Sequence, residues 1–501
     1  MYIFKKFTGK CDRRLPRNEG EESSVYMREN WLARDGRLNR PLGTVQAVDT
    51  VLTGIPTWEA RYHSVETGII SPKSFAYTQD GKIWAINDLG HSAAVCKDGL
   101  NINAYPNHWL FKTQTQTKMY FVDGYNLYKY DGNNANLFEK VTITDTDGAS
   151  INPIDVIEHR DRLFLISDTY LYISKNLEPD NFSDATDSIQ IIVGSGKGKN
   201  KALRKIGDRL YILNTEGKFA LNGDTISAVA STFELVMVED KHPIIAGRTA
   251  VNVEGAINYL ADDLNIWQFN GVSSKKLTHF EKLEDFVFNN RAYLDKAVAT
   301  YYNNYYMLSF VENASTYNNL EIWWDAVEDK CDFVRGRNVS CYMQTDPSME
   351  PLKQQLCRSD AYTVMDADNG YNFAGSAIVS KLWTKDITPK VGYNVRFRQF
   401  FPEIEPLGTR NITINYILDG QLTPNANWSQ SLEGVTKTLG LMTFQNQSQA
   451  TYAINPKINY SRGQSIAFYV SDATKDLRTT LLGIGIDFIP KFQKKGRLVG
   501  E

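Results

Sequence analysis

The chain is poor in the residues that mark metal centres and disulfide frameworks. Five cysteines and six histidines are spread over 501 residues, and they form neither a Cys-x-x-Cys knuckle nor a His-Glu-x-x-His pair. An odd and sparse set of cysteines favours reduced thiols in a cytoplasmic product, although a bridge between Cys331 and Cys341 stays open. We therefore expect neither a metal ion nor a cofactor.

Long apolar runs and a large charge of one sign are also missing. No stretch approaches the roughly 18 apolar residues of a membrane span, and the start, Met1 to Phe7, has no apolar segment ahead of a small-residue cleavage site. We expect no membrane span and no secretory signal. The formal net charge of −3 argues against a protein whose whole surface grips nucleic acid.

Catalytic signatures are equally thin. There is no Gly-x-Ser-x-Gly elbow, and the carboxylate pairs that a glycosidase would need have two obvious candidates, Asp262 with Asp263 and Asp366 with Asp368. Both pairs stand where hairpin turns favour aspartate for backbone reasons. The sequence predicts a protein that is not an enzyme.

What the chain does have is one unit that returns seven times. An alternating apolar strand runs into a short Asn/Asp/Gly turn and a second strand, with copies that begin near Lys82, Met119, Arg162, Arg209, Ala256, Tyr305 and Lys353. Asn-Gly and Asp-Gly accept the positive φ of tight hairpins, and the flanking β-branched and aromatic residues suit a pleated sheet. The spacing of roughly 37 to 49 residues is typical of propeller blades.

The repeat predicts an all-β protein whose residues 57–375 form a β-propeller of about seven blades. A ring of four-stranded sheets lets each sheet cover its apolar face with a neighbour. The segment from Thr57 to His63 is expected to close the last blade. An open β-solenoid and a series of sandwiches in tandem remain as alternatives.

The two ends of the chain differ from the repeat region. Residues 1–56 are predicted to be an extended N-terminal arm with short strands, which either packs on the propeller or reaches a neighbouring subunit. Residues 376–491 are predicted to form a C-terminal β-sandwich of jelly-roll type, because strands such as Asn411–Ile417 and Ser465–Val470 alternate between apolar and polar residues. Residues 492–501 form a basic tail.

Two basic segments are candidate contacts for a subunit or for DNA. The first is the Gly-rich loop Gly194 to Lys201, which carries Lys197, Lys199 and Lys201 but lacks the spacing of a phosphate-binding loop. It is either a flexible basic loop or a contact for a phosphate backbone or an acidic neighbour. The second is the tail, with Lys494, Lys495 and Arg497.

Taken together, the layout resembles the tail nozzle or hub proteins of tailed bacteriophages, a propeller-bearing family that includes the packaged-DNA stabilisation proteins of short-tailed phages. The likeness lies in Glu29–Trp31 followed by Asp35–Gly43, in the hairpin ends Tyr130–Gly132 and Phe269–Gly271, and in the closing stretches Gly375–Lys385, Val395–Phe400 and Leu482–Pro490. Arg40-Pro41-Leu42-Gly43 departs slightly from the Arg-x-Gly that is usual there.

The resemblance implies a structural virion protein, assembled in the bacterial cytoplasm. It would form a homo-oligomeric ring of six copies below the portal and adaptor, hold or gate double-stranded DNA in its lumen without sequence specificity, and seat tail fibres or spikes. It transfers no catalytic residue. Two other functions stay open: a carbohydrate-active tail depolymerase, and a propeller scaffold outside any virus.

Overall fold

The computed structural model describes residues 2–5, 25–35, 37–62, 73–87, 91–112, 117–132, 138–226, 231–277, 288–313, 315–344, 355–389, 393–404, 410–419, 426–432, 436–439, 442–445, 450–451 and 462–491. Nearly all of the regular secondary structure in these residues is β-strand. The two helices in this part of the chain are 3-10 helices, Gly247–Thr249 and Phe288–Lys296. Neither has the length or the apolar character to cross a bilayer.

Seven four-stranded antiparallel sheets form a propeller. The strands are given from the inner one outward. Blade 1 consists of Pro56–Tyr62, Lys73–Thr78, Lys82–Asn87 and Ser92–Lys97, and blade 2 of Asn107–Lys112, Thr117–Val122, Leu127–Tyr130 and Glu139–Val141. Blade 3 consists of Asp155–His159, Arg162–Ile166, Tyr170–Ile173 and Ile189–Ile192, and blade 4 of Asn200–Ile206, Arg209–Asn214, Gly217–Asn222 and Glu234–Glu239. Blade 5 consists of Val251–Val253, Ala256–Leu260, Ile266–Phe269 and Ser274–Lys276, and blade 6 of Val298–Tyr302, Tyr305–Phe310, Leu320–Asp325 and Lys330–Arg335. Blade 7 consists of Val339–Gln344, Gln355–Arg358, Val364–Ala367 and Thr44–Gln46.

The ring of blades is closed. The inner strands of successive blades contact one another in turn, and Met343 of blade 7 pairs in parallel with Glu59 of blade 1. Apolar side chains fill the space between neighbouring blades, as where Phe121 of blade 2 packs edge-on against Trp58 of blade 1 with ring centroids 4.9 Å apart. This burial of apolar surface between blades stabilises the ring.

The repeat predicted from the sequence is confirmed, with one copy out of phase. The hairpins from Met119 onward join the second and third strands of their blades, whereas the hairpin at Lys82 joins the third and fourth strands of blade 1. The second strands start about 44 to 50 residues apart when Lys73 is taken as the first start. This misplacement accounts for the short interval between the first two predicted copies, Lys82 and Met119.

The strand that closes the last blade was predicted wrongly. Residues Pro56–Tyr62 form the inner strand of blade 1, and the outer strand of blade 7 is Thr44–Gln46, which pairs with Val364–Ala367. A propeller boundary at residue 57 therefore leaves out one of its strands. The ring is closed by hydrogen bonds between residues more than 300 positions apart in the chain.

The C-terminal part is a β-sandwich, as predicted. One sheet consists of Val25–Glu29, Ser380–Thr384, Ile466–Asp472, Arg410–Leu418 and Ala426–Leu432. The other consists of Leu32–Arg34, Arg37–Asn39, Thr480–Lys491, Asn394–Ile404 and Ala450–Thr451, with Tyr2–Lys5 and Arg462–Gly463 paired at its side. Two short hairpins, Asn372–Phe373 with Ser376–Ala377 and Thr436–Leu439 with Met442–Gln445, complete the strands.

The described part of the predicted arm, residues 25–46, contributes strands to both domains. Val25–Glu29 lies between the outer strand of blade 6 and Ser380–Thr384, so that one sheet runs from the propeller into the sandwich. The sandwich core, where Phe400 packs on Phe468 with centroids 5.0 Å apart, is continuous with the apolar cluster between blades 5 and 6. The segment is an integral part of the fold and not a separate arm.

Candidate functional site

One face of the propeller carries most of the candidate residues. It is formed by the turns between second and third strands and by the loops that lead from one blade to the next, and we call it the upper face. Because neighbouring strands are antiparallel, the remaining turns of each blade lie at its opposite end.

The predicted basic loop lies on the upper face, between blades 3 and 4. The carboxylate of Glu216 accepts hydrogen bonds from the backbone N–H of Ser195, at 2.9 Å, and from its hydroxyl, and the N–H of Lys199 donates to Thr215 Oγ1 at 2.9 Å. A Cβ at Gly198 would lie 2.2 Å from Asn214 Oδ1. The glycine pattern thus serves the packing of an ordered loop on the next blade.

The three lysines of this loop differ in their surroundings. Lys197 and Lys199 are exposed, and Lys201 is half-buried on the inner strand of blade 4. Lys199 Nζ lies 3.3 Å from a carboxylate oxygen of Asp168 in an exposed pair, which contributes little to stability. Lys197 and Lys199 are therefore the accessible charges here. Lys494, Lys495 and Arg497 lie outside the described residues.

The two carboxylate pairs from the sequence do not meet. Asp262 and Asp263 precede the third strand of blade 5, on the upper face, whereas Asp368 follows the third strand of blade 7, at the opposite end. Asp263 accepts a hydrogen bond from Trp267 Nε1 at 3.0 Å, and Asp366 accepts one from Gln355 Nε2 at 3.0 Å. These contacts give two of the four carboxylates a local role within their own blade.

The structure adds a histidine to the upper-face pair. The potential ligand atoms of His242, Asp262 and Asp263 lie within 4.8 Å of one another. The imidazole stacks on the Trp267 ring, with the two ring centroids 3.6 Å apart. The carbonyl of His242 accepts hydrogen bonds from Lys218 Nζ and from the hydroxyl of Tyr259. Such a set has ligand types that suit a divalent cation; sequence reasoning missed it because His242 comes from a different blade loop.

The stretch that carries the family resemblance forms the joint between the two domains. Asn30, at a left-handed φ of 55°, donates from Nδ2 to the carbonyls of Arg335 and Val379, and its Oδ1 accepts from the N–H of Arg335 at 2.8 Å. Beside it, the buried Arg28 forms an ion pair with Asp332 of blade 6. The side-chain hydrogen bonds of Asn30 thus fix the orientation of the two domains, and they give partners to backbone groups of Arg335 and Val379.

Arg40 has a similar role on the sandwich side. Its buried guanidinium donates to the carbonyls of Ile378, Thr474 and Leu477, and it lies 3.4 Å from Asp472. Burial lowers the pKa of Arg40 and the charge of Asp472 opposes that shift. The side chain of Arg40 thereby connects Ile378, just before the sandwich strand Ser380–Thr384, with the loop that precedes the last strand, Thr480–Lys491.

A third arginine crosses the axis of the propeller. Arg248 belongs to the 3-10 helix in the loop between blades 4 and 5, and its Nη2 donates to the carbonyls of Thr57 and Ser340, each at 2.9 Å. These carbonyls belong to the inner strands of blades 1 and 7, on the opposite side of a seven-membered ring. The guanidinium therefore spans the axis at the upper face, where a duplex could not pass.

Comparisons with known proteins give no family. No family model matches the chain, and no curated protein matches it. Among solved structures, Raptor from Chaetomium thermophilum aligns with a TM-score of 0.43 at 8% identity over 66% of this chain and 29% of its own. BamB from Moraxella catarrhalis has a TM-score of 0.35 at 10% identity, over 59% and 78%.

A computationally designed protein, Ika8, aligns with a TM-score of 0.34 at 11% identity, over 65% of this chain and 99% of its own. The chain spans less than a third of the Raptor chain. TM-scores below 0.5 carry no argument, so the propeller fold is assigned from the strand order of this chain.

Proposed function

We propose that this chain is a structural protein of a bacteriophage tail, a nozzle or hub subunit. Six copies would form a ring below the portal and adaptor, retain or gate the packaged DNA and seat fibres or spikes. The observation that carries the proposal is the joint built by Arg28, Asn30 and Arg40, because two of these residues belong to Glu29–Gly43, one of the stretches that resemble the family.

The joint suits such a role physically. A ring that bears the pressure of packaged DNA needs subunits whose two domains keep one orientation, and a sheet continuous from blade 6 into the sandwich supplies this. Because Arg248 spans the propeller axis, the DNA path in this proposal is the lumen between subunits. A near-neutral subunit would let the duplex leave, since a strongly basic lumen would retain it.

Electron microscopy and mass measurement of the purified chain test the proposal. We expect rings of six copies, alone or on a portal–adaptor complex, and phage particles made without the chain should lose their DNA. A chain that stays monomeric and never joins particles would contradict a tail role. Release of reducing sugar from host glycans by the pure chain would favour the depolymerase alternative instead.

A further inference from the structure

A cavity of about 380 Å³ lies between blades 3 and 4, at the end of the propeller opposite the upper face. Its wall is formed by the turns that join the first and second strands of these blades and by the end of the third strand of blade 4. The volume falls within the roughly 300–1,000 Å³ of small-molecule pockets. No part of the proposed function uses this cavity, so its ligand can be inferred and tested independently.

Two arginines converge on the wall of this cavity. Arg160 Nη1 donates to the carbonyl of Gly223 at 2.9 Å, and Arg209 Nη2 donates to Oδ1 of the adjacent Asn222 at 2.8 Å. All four residues line the cavity, and both arginines are exposed. A guanidinium has five N–H donors, and each of these two uses only one or two of them within the described part of the chain. Both arginines therefore keep donors that a ligand in the cavity can reach.

Positive charge outweighs negative charge at this cavity. Among the described residues of the wall, Asp208 supplies the only carboxylate, which lies 3.3 Å from Arg160 Nη2 in an exposed pair. Arg209 has no carboxylate at ion-pair distance in the described part of the chain. Burial and the positive charges of Lys205 and Arg160 lower the pKa of His159, in the same wall, to about 4, and the opposing effect of Asp208 is smaller. This balance of charges favours an anionic ligand.

The other wall residues indicate which kind of anion fits. Asn222 adds a neutral donor, because its Oδ1 accepts from Arg209 and its Nδ2 makes no hydrogen bond with the described residues. The half-buried Ile206 gives an apolar surface for the remainder of a ligand. Guanidinium groups bind phosphate oxygens through two parallel N–H donors, and two of them match the charge of nearly −2 that a phosphate monoester carries at neutral pH.

We propose that this cavity binds a small phosphate monoester of the sugar phosphate class. The phosphate would lie between Arg160 and Arg209 and accept hydrogen bonds from both, with Asn222 as a third donor, and the sugar would pack toward Ile206. Asp208 would turn away from Arg160 when the dianion binds, which costs little because an exposed ion pair is weak. Loss of either arginine and loss of the Asp208 charge should therefore have opposite effects on affinity.

Calorimetric titration of the full chain with ribose 5-phosphate tests the proposal. Ribose is the neutral counterpart, and a short DNA duplex is the second probe, because its backbone phosphates are diesters. We expect ribose 5-phosphate to bind about tenfold or more tightly than ribose, since charge-assisted hydrogen bonds to the phosphate supply the difference. Equal binding of ribose and its phosphate, no binding of ribose 5-phosphate, or binding of the duplex alone would overturn the proposal.

Three variants locate the site. Arg160→Gln and Arg209→Gln should each weaken binding of ribose 5-phosphate about tenfold, and Asp208→Asn should strengthen it about threefold because a like charge is removed. Arg398→Gln, at an exposed arginine of the sandwich that pairs with Asp487, is the matched control and should bind as the natural chain does. If the arginine variants are folded by circular dichroism and keep full affinity, or if Asp208→Asn weakens binding, the site is wrong.

Discussion

Asn30 and Arg335 exchange two hydrogen bonds across the junction of propeller and sandwich. The amide nitrogen donates to the Arg335 carbonyl at 3.2 Å and the amide oxygen accepts from its N–H at 2.8 Å. The side chain therefore acts as a strand partner for one residue at the end of blade 6. The guanidinium of the same Arg335 pairs with Glu29 and Glu312, so that backbone and side chain are both held.

Asn30→Ala should weaken this junction. The change removes three side-chain hydrogen bonds and leaves backbone groups of Arg335 and Val379 unpaired, at a cost of about 3 kcal/mol. The midpoint of urea unfolding, followed by tryptophan fluorescence, measures it. Asn303→Ala is the control, because Asn303 has the same left-handed backbone in an exposed turn and should cost only about 1 kcal/mol.

Gly43→Ala should open the closure of blade 7. A Cβ at this position would lie 2.2 Å from the carbonyl oxygen and 2.6 Å from the nitrogen of Asn372, and backbone atoms cannot move aside cheaply. We expect a loss of about 3 kcal/mol, seen as a lower melting temperature. Gly99→Ala adds a Cβ with nothing within 4 Å at a positive φ and should cost about 1 kcal/mol; equal losses would show that the contact at Asn372 is not limiting.

Acid should destabilise blade 3 through His159. Burial, together with the positive charges of Lys205 and Arg160, lowers the pKa of His159 to about 4, against about 6.5 in an unfolded chain. The unfolded state then binds the proton first, so the stability that the neutral imidazole contributes is complete above pH 6.5 and is lost as the pH falls toward 4. Urea unfolding at pH 7.5, 5.5 and 4.5 should show a shallower fall for His159→Gln; parallel curves would refute the assignment.

Lys197 and Lys199 are predicted to contact a phosphate backbone. If each neutralises one phosphate, the combined change Lys197→Gln and Lys199→Gln should reduce the slope of log affinity against log salt by about 2 for duplex DNA. Fluorescence anisotropy at several salt concentrations gives this slope. The exposed pair Lys275 and Lys276 of blade 5, changed in the same way, is the control, and an unaltered slope in the loop variant would assign the loop to packing alone.

The blades could be predicted because their information is local. Each hairpin carries its own turn residues and alternation, as in Met119–Val122, Asp123-Gly124 and Leu127–Tyr130, and neighbouring blades need only similar apolar faces. The strands of the sandwich were predictable for the same reason. The observed strand Arg410–Leu418 extends the expected Asn411–Ile417 by one residue at each end.

The closing strand and the junction could not be predicted in this way. Thr44–Gln46 is three residues long, and its partners lie more than 300 residues away, so nothing in its own pattern selects blade 7. Arg248 stands in no motif, and its role depends on two carbonyls from distant strands. The candidate site therefore emerged only from the topology.

The pairing of Thr44–Gln46 with blade 7 and of Val25–Glu29 with the sandwich sets an order on biosynthesis. The ribosome makes these residues well before their partners, which lie more than 300 residues further along the chain. Until then the nascent propeller is an open arc with unpaired sheet edges, which are prone to aggregation. Full protection from proteases should therefore arise only after the partner strand Ser380–Thr384 has been synthesised.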